Sequence, residues 1–397
     1  MRLFSRSKQI IKRAQEMIKQ GNYQEALEYY DKILDTDPNY VKALNGKGFI
    51  LLRRGEYKEA LEVYNKALLL DPDYFDAWTN MGAVLVELGR YHEAFKAYNK
   101  ALNLNSKYSP TWADMGVILR DLGRYQEALK FTNKALELDP KYVEAWNNKG
   151  VILNDIGEHE ESLKCFDKAL KLDPESVVTW NRKGYVLMEI GKYQGAVEAY
   201  DNALKLNPEL IDAWNNRGNS LQELNKYQEA IESYDKALRM DKDSFGALYN
   251  KGYVLTKLKQ YQEALVYYNK ALKIDSTTND LVWFQRGYVL SELEEYQEAI
   301  KSYDNALKIN PKDTFSLYNK GNILIEMGEY EKAIKSFEKA LEIDPNDAET
   351  WNDCGIAFLE LELYHEALES FNKSLKLNPE LESALKSKKE VLKLMEN

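Results

Sequence analysis

Several residue types are scarce in this 397-residue chain, and each scarcity excludes a class of protein. There are only two cysteines, Cys165 and Cys354, which argues against a disulfide framework and favours a reducing compartment. The three histidines, His92, His159 and His365, lie far apart and show no metal-ligand or catalytic spacing. We therefore expect no enzyme activity, no metal site and no cofactor.

Positive charge is also in the minority. Lys and Arg number 54 against 64 Asp and Glu, which gives a net charge of −10. A nucleic-acid-binding protein needs a basic face for phosphate, so this balance argues against such a partner. No apolar segment approaches the ~20 residues of a membrane span, and no apolar core of a secretion signal follows the basic N-terminus. The sequence predicts a cytoplasmic protein with neither a membrane nor a nucleic-acid partner.

The dominant feature is a repeat with a period of 34 residues, counted here with Val41 at position 1. Rare residues confirm the register, because all seven tryptophans fall at position 4 and eight of the nine prolines at position 32. Residues 1–6 are interpreted as an N-terminal extension and residues 382–397 as a C-terminal capping helix. The eleven copies cover residues 7–40, 41–74, 75–108, 109–142, 143–176, 177–210, 211–244, 245–279 (one residue longer), 280–313, 314–347 and 348–381.

Each conserved column of the repeat has a physical reason. Positions 1, 4, 8 and 11 form one apolar stripe on the first of two helices in each copy. Small residues at positions 8 and 20 are expected to let two helices approach, with Trp at position 4 and Tyr at position 17 filling the volume beside them. Glycine at position 15 ends the first helix, and Asp or Asn followed by proline at position 32 ends the second. Each copy is therefore a helix–turn–helix pair that buries its apolar face against its neighbours.

These columns together resemble the tetratricopeptide repeat. The copy that begins at Phe75 shows most of the pattern, with Ser106 in place of proline: Trp78, Gly82, Tyr91, Ala94, Tyr98 and Ala101. The resemblance implies an all-α, right-handed superhelical solenoid of eleven repeats, whose first helices line a concave groove. It implies a scaffold for binding rather than a particular chemistry, so function must be argued from the residues of the groove.

Positions 2, 6, 9 and 13 of the first helices are expected to face this groove, since position 6 lies ~200° around the helix from position 4. We call their surface the groove face. Amides at position 6 suit an extended peptide backbone because they both donate and accept hydrogen bonds. The column resembles the asparagine ladder in the repeat domain of O-linked N-acetylglucosamine transferases; alternatively, duplication copied an amide that is simply solvated. Its members are Asn80, Asn148, Asn216, Asn250, Gln285 and Asn319, and it is interrupted by Lys12, Gly46, Asp114, Arg182 and Asp353.

Position 13 is acidic in eight copies, although a carboxylate there opposes the helix dipole. One interpretation is attraction of a basic partner. The other is pairing within the scaffold with Lys or Arg at position 7, such as Lys149 or Arg217. The sequence leaves both open. The acidic residues are Glu87, Asp121, Asp155, Glu189, Glu223, Glu292, Glu326 and Glu360.

Aromatic residues give the groove face a third character. Position 9 carries Tyr185, Tyr253 and Tyr288, and position 5 carries Tyr249, Phe284 and Tyr318 in copies eight to ten. They predict an aromatic sector for side-chain anchors, unless the position-5 rings pack between neighbouring first helices. Position 5 has no lysine in any copy, so the carboxylate clamp of chaperone-tail receptors in this family is not expected.

The predicted function is a non-enzymatic scaffold that binds an extended peptide or protein segment in its groove, with a basic segment as one option. Two alternatives remain open. The first is self-assembly by end-on stacking through the first copy, which exposes Ile10, Ile11 and Ile18 in this interpretation; the second is recruitment of a separately encoded enzyme. The proline is missing at the seventh–eighth and eighth–ninth junctions, and copies seven to nine lack the glycine at position 15. These losses predict a local change of superhelical twist near 241–280, with a simple loop insertion as the alternative.

Overall fold

The computed structural model describes the backbone of residues 2–396 and the side chains of residues 7–396, and in this range it has 23 helices and no strand. The predicted all-α architecture of helix–turn–helix repeats followed by a C-terminal helix is confirmed. The chain divides into two compact units, Met1–Ile190 and Gly191–Asn397, called here the N-terminal and C-terminal units. Within the described residues, no helix is both long and apolar enough to cross a bilayer.

In the N-terminal unit, odd-numbered helices are the first helices of the copies and even-numbered helices the second. Residues 2–6, interpreted from sequence as an extension, continue the first helix instead. The helices are α1 (Arg2–Lys19), α2 (Tyr23–Thr36), α3 (Val41–Arg53), α4 (Tyr57–Leu70), α5 (Phe75–Glu87), α6 (Tyr91–Leu104), α7 (Ser109–Asp121), α8 (Tyr125–Leu138), α9 (Val143–Asp155), α10 (His159–Leu172) and α11 (Val177–Glu189).

The C-terminal unit continues the same alternation. It ends in α23, whose Ala384 and Val391 are fully buried against Ala367 and Phe371, so this helix covers the apolar face of the eleventh copy. The helices are α12 (Tyr193–Leu206), α13 (Ile211–Glu223), α14 (Tyr227–Met240), α15 (Phe245–Lys257), α16 (Tyr261–Ile274), α17 (Asp280–Glu292), α18 (Tyr296–Ile309), α19 (Thr314–Glu326), α20 (Tyr330–Ile343), α21 (Ala348–Glu360), α22 (Tyr364–Leu377) and α23 (Glu382–Met395).

The two turns of each copy follow from its sequence. Position 15 is in the left-handed region wherever it is glycine, for example with φ 71° at Gly123. After the second helix, the Asp or Asn at position 31 accepts a hydrogen bond from the backbone N–H two residues later in all eleven copies, as from Asp73 to Asp71 at 3.2 Å. This Asx turn reverses the chain toward the next first helix.

The residue packed against the position-8 glycine differs from the sequence expectation. A Cβ added to Gly150 would lie 2.7 Å from the ring of Phe166, and one added to Gly218 would lie 2.5 Å from the ring of Tyr234. These rings are at position 24 and are fully buried. The ring that meets the glycine directly is therefore the one at position 24 of the second helix, whereas Trp78 and Tyr91 pack against the cluster of the equivalent Tyr98 from outside it.

The tryptophans have another role at the edge of the core. All seven are half-buried, and each indole N–H donates a hydrogen bond to the backbone carbonyl of the position-32 residue of the preceding copy, as from Trp146 to Pro140 at 3.0 Å. A half-exposed indole with a satisfied N–H suits this position. The tryptophan therefore anchors the loop that joins two copies.

The irregular segment 241–280 keeps the repeat geometry on both sides. One apolar cluster runs through it without a break, from Leu221 and Tyr234 through Tyr268 to Val282 and Val289. The extra residue lies in the loop, where the backbone N–H groups of Thr277 and Thr278 both donate to Asp275. These observations favour a simple loop insertion over a change in stacking.

Candidate functional site

The amide column of the N-terminal unit contains Asn80 on α5 and Asn148 on α9, both half-buried. The Asn80 side chain donates to Asn45 Oδ1 at 3.1 Å, so position 6 of one copy contacts position 5 of the copy before it. A partly exposed amide next to a second amide retains acceptors and donors for an incoming backbone. The structure thus places these two residues on a surface that suits the predicted role.

In the C-terminal unit the column contains four half-buried amides: Asn216, Asn250, Gln285 and Asn319. Asn250 donates to Asn219 Oδ1 at 2.8 Å, and this oxygen also accepts from the Tyr234 hydroxyl at 2.9 Å. Asn319 donates to the Phe315 carbonyl one turn earlier at 2.8 Å. Their neighbours hold these two amides in fixed orientations, while their carbonyl oxygens remain available as acceptors.

The acidic column of the N-terminal unit forms polar contacts between copies. Tyr57 donates to Glu87 at 3.3 Å, and the negative charge of Glu87 is the main cause of the raised pKa of Tyr57. Asn154 donates to Glu189 at 2.7 Å and also contacts His159 Nδ1 at 2.8 Å. His159 stands where other copies have Tyr, so a bridging asparagine replaces the direct tyrosine contact in this copy.

Among the described side chains of the N-terminal unit, one cation forms ion pairs with the acidic column. Arg120 forms ion pairs with Asp121 at 2.7 Å and with Asp155 at 3.6 Å. Burial raises the pKa of Asp155 although Arg120 opposes this effect, and the charges of Asp121 and Glu189 add to it. The carboxylates therefore lie close enough to repel one another.

The C-terminal unit repeats the tyrosine contact. Tyr261 donates to Glu292 at 2.8 Å and Tyr330 to Glu360 at 3.3 Å. Glu223 raises the pKa of Tyr234, after the larger effect of burial. These tyrosine hydroxyls orient the carboxylates by hydrogen bonds but supply no positive charge to balance them.

The basic residues at position 7 do not neutralise the acidic column. Six of the eight instead contact position 25 of the preceding copy, on a second helix, whereas Lys149 lies over the Trp146 ring. Five pairs are salt bridges and the sixth is a hydrogen bond to an asparagine: Lys47–Asp31, Lys183–Asp167, Arg217–Asp201, Lys251–Asp235, Lys320–Asp304 and Arg286–Asn269. These six residues, predicted as internal partners of position 13, therefore link successive copies instead.

The predicted aromatic sector lies on α15, α17 and α19. The position-5 rings pack inward, with Tyr249 and Phe284 tilted against the buried Tyr268 and Tyr303 at 6.2 and 5.9 Å. Tyr253 and Tyr288 at position 9 are half-buried, and Lys257 lies over the Tyr253 ring at 5.1 Å. The position-5 rings are therefore packed, but against the position-24 ring of their own copy rather than between neighbouring first helices, and the position-9 rings remain partly exposed. Tyr185, in the N-terminal unit, is 45% exposed.

The sequence reasoning overlooked two apolar residues on the groove face of the C-terminal unit. Leu281 and Phe315 occupy position 2 of successive copies and are 55% and 70% exposed. Position 2 is acidic in Asp76, Glu144 and Asp212, although Val178 in the N-terminal unit is also apolar and 55% exposed. A comparison of residue identities down the position-2 column was the signal that could have found them.

The clefts found among the described residues lie away from the predicted site residues. Four clefts of about 290–640 Å³ are lined mainly by second helices, and none of the fourteen predicted site residues lines any of these four. Among the described residues there is no cluster of His, Cys, Asp and Glu that would hold a metal ion. Both cysteines are buried, and burial raises the pKa of the Cys165 thiol to about 11.

Comparison with known proteins gives consistent family matches. Residues 6–210 match the family model described as the cilia and flagella-associated protein 70 C-terminal domain. Tetratricopeptide-repeat models match residues 211–244, 246–277, 281–313, 302–335 and 348–381, and a further repeat model matches 321–362. The comparison with curated proteins gave no match.

Several solved structures are similar to the chain. YrrB, described as a TPR protein with an unusual peptide-binding site, is 30% identical over 49% of this chain and 99% of its own, with a TM-score of 0.45. The Cut9–Hcn1 hetero-tetramer of APC/C is 17% identical over 98% of this chain and 96% of its own (TM-score 0.46). MamA is 24% identical over 43% of this chain and 93% of its own (TM-score 0.42).

The family models, together with the eleven helix pairs, the position-8 glycine packing and the position-31 turns, agree along the length of the chain. The chain belongs to the tetratricopeptide-repeat family, with residues 6–210 in the family of the cilia and flagella-associated protein 70 C-terminal domain.

Proposed function

We propose that this chain is a non-enzymatic, cytoplasmic scaffold that holds an extended segment of another protein on its groove face. Tetratricopeptide repeats commonly mediate protein–protein interaction, and the proposal adds where the partner binds. The observation that carries it is the groove face of the C-terminal unit, where the exposed Leu281 and Phe315 lie on the same helices as Gln285 and Asn319. Apolar anchors beside backbone-binding amides are the two elements that an extended peptide needs.

The energetics favour a few anchors over a uniform contact. Full burial of a Leu or Phe side chain contributes roughly 1.5–3 kcal/mol, so Leu281 and Phe315 are the strongest candidates for binding energy in this unit. The amides at position 6 contribute less, because each exchanges a hydrogen bond with water for one with the peptide. Their role in the proposal is to fix the register of the bound backbone.

The charge of the groove face favours a basic partner. Glu87, Glu189 and Glu292 accept hydrogen bonds from tyrosine or asparagine rather than from a cation, and position-7 cations such as Lys183 and Lys251 pair with second helices. Arg120 pairs with Asp121 and Asp155, and the remaining carboxylates of the column would attract a cationic segment and speed its association at low salt. We therefore propose that the preferred segment carries Lys or Arg beside its apolar anchors.

End-on self-assembly has less support from the structure. Ile10, Ile11 and Ile18 are half-buried and pack against the apolar cluster formed by Ala14, Ala26, Tyr30, Ile33, Ala43 and Ile50. Their apolar surface is thus largely used within the N-terminal unit. Recruitment of a separate enzyme is one possible use of the proposed scaffold, and no residue of the groove face favours it specifically.

The test uses random dodecapeptides displayed on phage and selected on the purified full chain at low salt. Synthetic copies of the selected peptides are then titrated against the wild type and three variants. We expect Phe315→Ser to weaken binding about tenfold or more and Asn250→Ala to weaken it less. Val266→Ser is the matched control, because Val266 is 49% exposed on the second helix α16 and should leave affinity unchanged.

Two results would overturn the proposal. One is recovery of no peptide above background; the other is equal loss of affinity in the Phe315 and Val266 variants. A mass that rises with concentration in light scattering, and falls when Ile10 and Ile11 are replaced by serine, would favour self-assembly instead.

A further inference from the structure

Position 6 carries an acid, an amide and a base in three successive copies of the N-terminal unit. Asp114 on α7, Asn148 on α9 and Arg182 on α11 all occupy position 6, and each is half-buried. Helix α7 contacts α9, and α9 contacts α11. The column therefore runs from an acid through an amide to a base across three consecutive copies.

The carboxylate of Asp114 has no partner among the described side chains. Arg120, on the same helix, is paired with Asp121 and Asp155 instead. Thr79, the position-5 residue of the preceding copy, donates its hydroxyl to the Phe75 carbonyl. Burial raises the pKa of Asp114 to about 6, which is the expected response of a carboxylate without a counter-ion.

Arg182 carries the opposite charge and likewise has no ion-pair partner among the described residues. In one earlier copy position 6 donates to position 5, from Asn80 to Asn45. The equivalent acceptor for Arg182 is Asn147 Oδ1, which is buried and has no donor within the described part of the chain. Burial lowers the pKa of Arg182, and the nearby positive charge of Arg120 lowers it further. No carboxylate of the described residues forms an ion pair with this guanidinium.

We propose that Asp114 and Arg182 together fix the direction in which a bound segment lies on the N-terminal unit. The segment sets a Lys or Arg side chain against Asp114 and an Asp or Glu side chain against Arg182. This inference rests on the proposed function, and it adds a charge order that the acidic column alone does not predict. Reversal of the segment would place like charges together at both ends, so only one direction binds well.

The spacing between the two charges on the partner follows from the scaffold. Packed helices lie ~8–10 Å apart, so two successive copies separate Asp114 from Arg182 by roughly 16–20 Å. An extended or polyproline-like chain covers this span in about six residues at ~3.1–3.4 Å each. Six residues also return the side chain to the same face in both conformations, since their periods are two and three. The expected signature is a basic and an acidic residue about six positions apart.

The experiment selects the same displayed dodecapeptides on four full-length proteins: wild type, Asp114→Asn, Arg182→Asn and the charge swap Asp114→Arg with Arg182→Asp. Asparagine already occupies this column in five other copies, so the single variants are expected to fold. Thermal unfolding followed by circular dichroism checks this for every variant. Lys168→Asn and Glu175→Gln, which change exposed charges outside the groove face, are the matched controls.

We expect the wild type and both controls to enrich peptides with a basic and an acidic residue about six positions apart, in one order only. Each single variant should lose the enrichment at its own end and weaken binding of a wild-type-selected synthetic peptide about tenfold. The charge swap should select the opposite order; should it fail to fold, the two single variants with the synthetic peptide still decide the question.

Two outcomes separate this inference from the proposed function. If peptides are enriched and depend on Phe315 but show no charge pair at this spacing, the directional inference is wrong and the proposed function stands. If the charge pair appears equally in the wild type and in both single variants, Asp114 and Arg182 do not recognise it. Recovery of no peptide overturns both.

Discussion

The two units have the same scaffold but differ at one turn position. In the N-terminal unit, position 15 is glycine in every turn between paired helices: Gly21, Gly55, Gly89, Gly123 and Gly157. In the C-terminal unit, Asn225, Lys259, Glu294 and Glu362 adopt the same positive φ of 57–62° without being glycine. An L residue in this region costs ~1–2 kcal/mol. Packing of the helix pair therefore fixes the turn geometry even where the local sequence opposes it.

The groove faces of the units differ in a second way. The N-terminal unit presents Asp114 and Arg182 without counter-ions, whereas the C-terminal unit presents amides beside the exposed Leu281 and Phe315. Positions 8, 20 and 24 vary little between the units because the core requires a small residue at positions 8 and 20 beside the buried side chain at position 24. Positions 2, 6 and 9 vary freely because solvent or a partner is their neighbour. The comparison teaches that the columns free to vary are those that the core does not constrain, and the proposed binding residues lie in these columns.

The largest predicted effect tests whether the core is the same in both units. Gly150→Ala introduces a Cβ 2.7 Å from the buried Phe166 ring, and Gly218→Ala one 2.5 Å from the buried Tyr234 ring. Each change should destabilise its unit by about 1–3 kcal/mol. Chemical denaturation measures the effect. Gly246→Ala is the control, because its Cβ would meet nothing within 4 Å and alanine favours the helix. A loss in only one unit would show that the cores differ.

A pH experiment tests the charge in the N-terminal groove face. The pKa of Asp114 is raised to about 6 when folded, so the folded state binds the proton more tightly and stability falls as pH rises through this value. Asp114→Asn should therefore stabilise the N-terminal unit by about 1–2 kcal/mol at pH 8 and by much less below pH 5. Denaturation at both pH values measures this. Asp76→Asn, at an exposed position 2, should show no such difference, and a gain independent of pH would contradict the prediction.

The fold was predictable because rare residues mark the register. Tryptophan at position 4 and proline at position 32 define where each copy begins and ends, and the helices follow these bounds. The partners of individual side chains were harder to predict from the sequence. Sequence spacing showed that position 7 is basic, but not that Lys251 reaches Asp235 on a second helix rather than an acidic residue at position 13. Periodicity gives the direction of a side chain on its own helix, whereas its partner depends on how two helices cross.

The candidate site shows the same limit. The amides and acids were found because they recur, and recurrence is what a repeat makes visible. Leu281, Phe315, Asp114 and Arg182 are deviations from their columns; the search for recurring residues missed the first two and treated the last two only as interruptions. Their exposure or lack of a partner became evident only from the packing around them. In a repeat protein, the residues that break a column on the groove face are the stronger indication of specificity.

The smallest predicted effect concerns the turns that distinguish the two units. Glu294→Gly relieves a positive φ of 62° but increases the freedom of the unfolded chain, so the net gain should be only about 0.5–1 kcal/mol. Gly123→Glu should cost the N-terminal unit about the same amount. Asn225→Gly is the control, because asparagine tolerates this region and the change should be close to neutral. Hydrogen exchange of the amides that flank each turn measures the effect locally, where global unfolding would average it over many copies. If Glu294→Gly and Asn225→Gly gave equal protection, the turn would carry no strain in the C-terminal unit, and the difference between the units would be confined to the groove face.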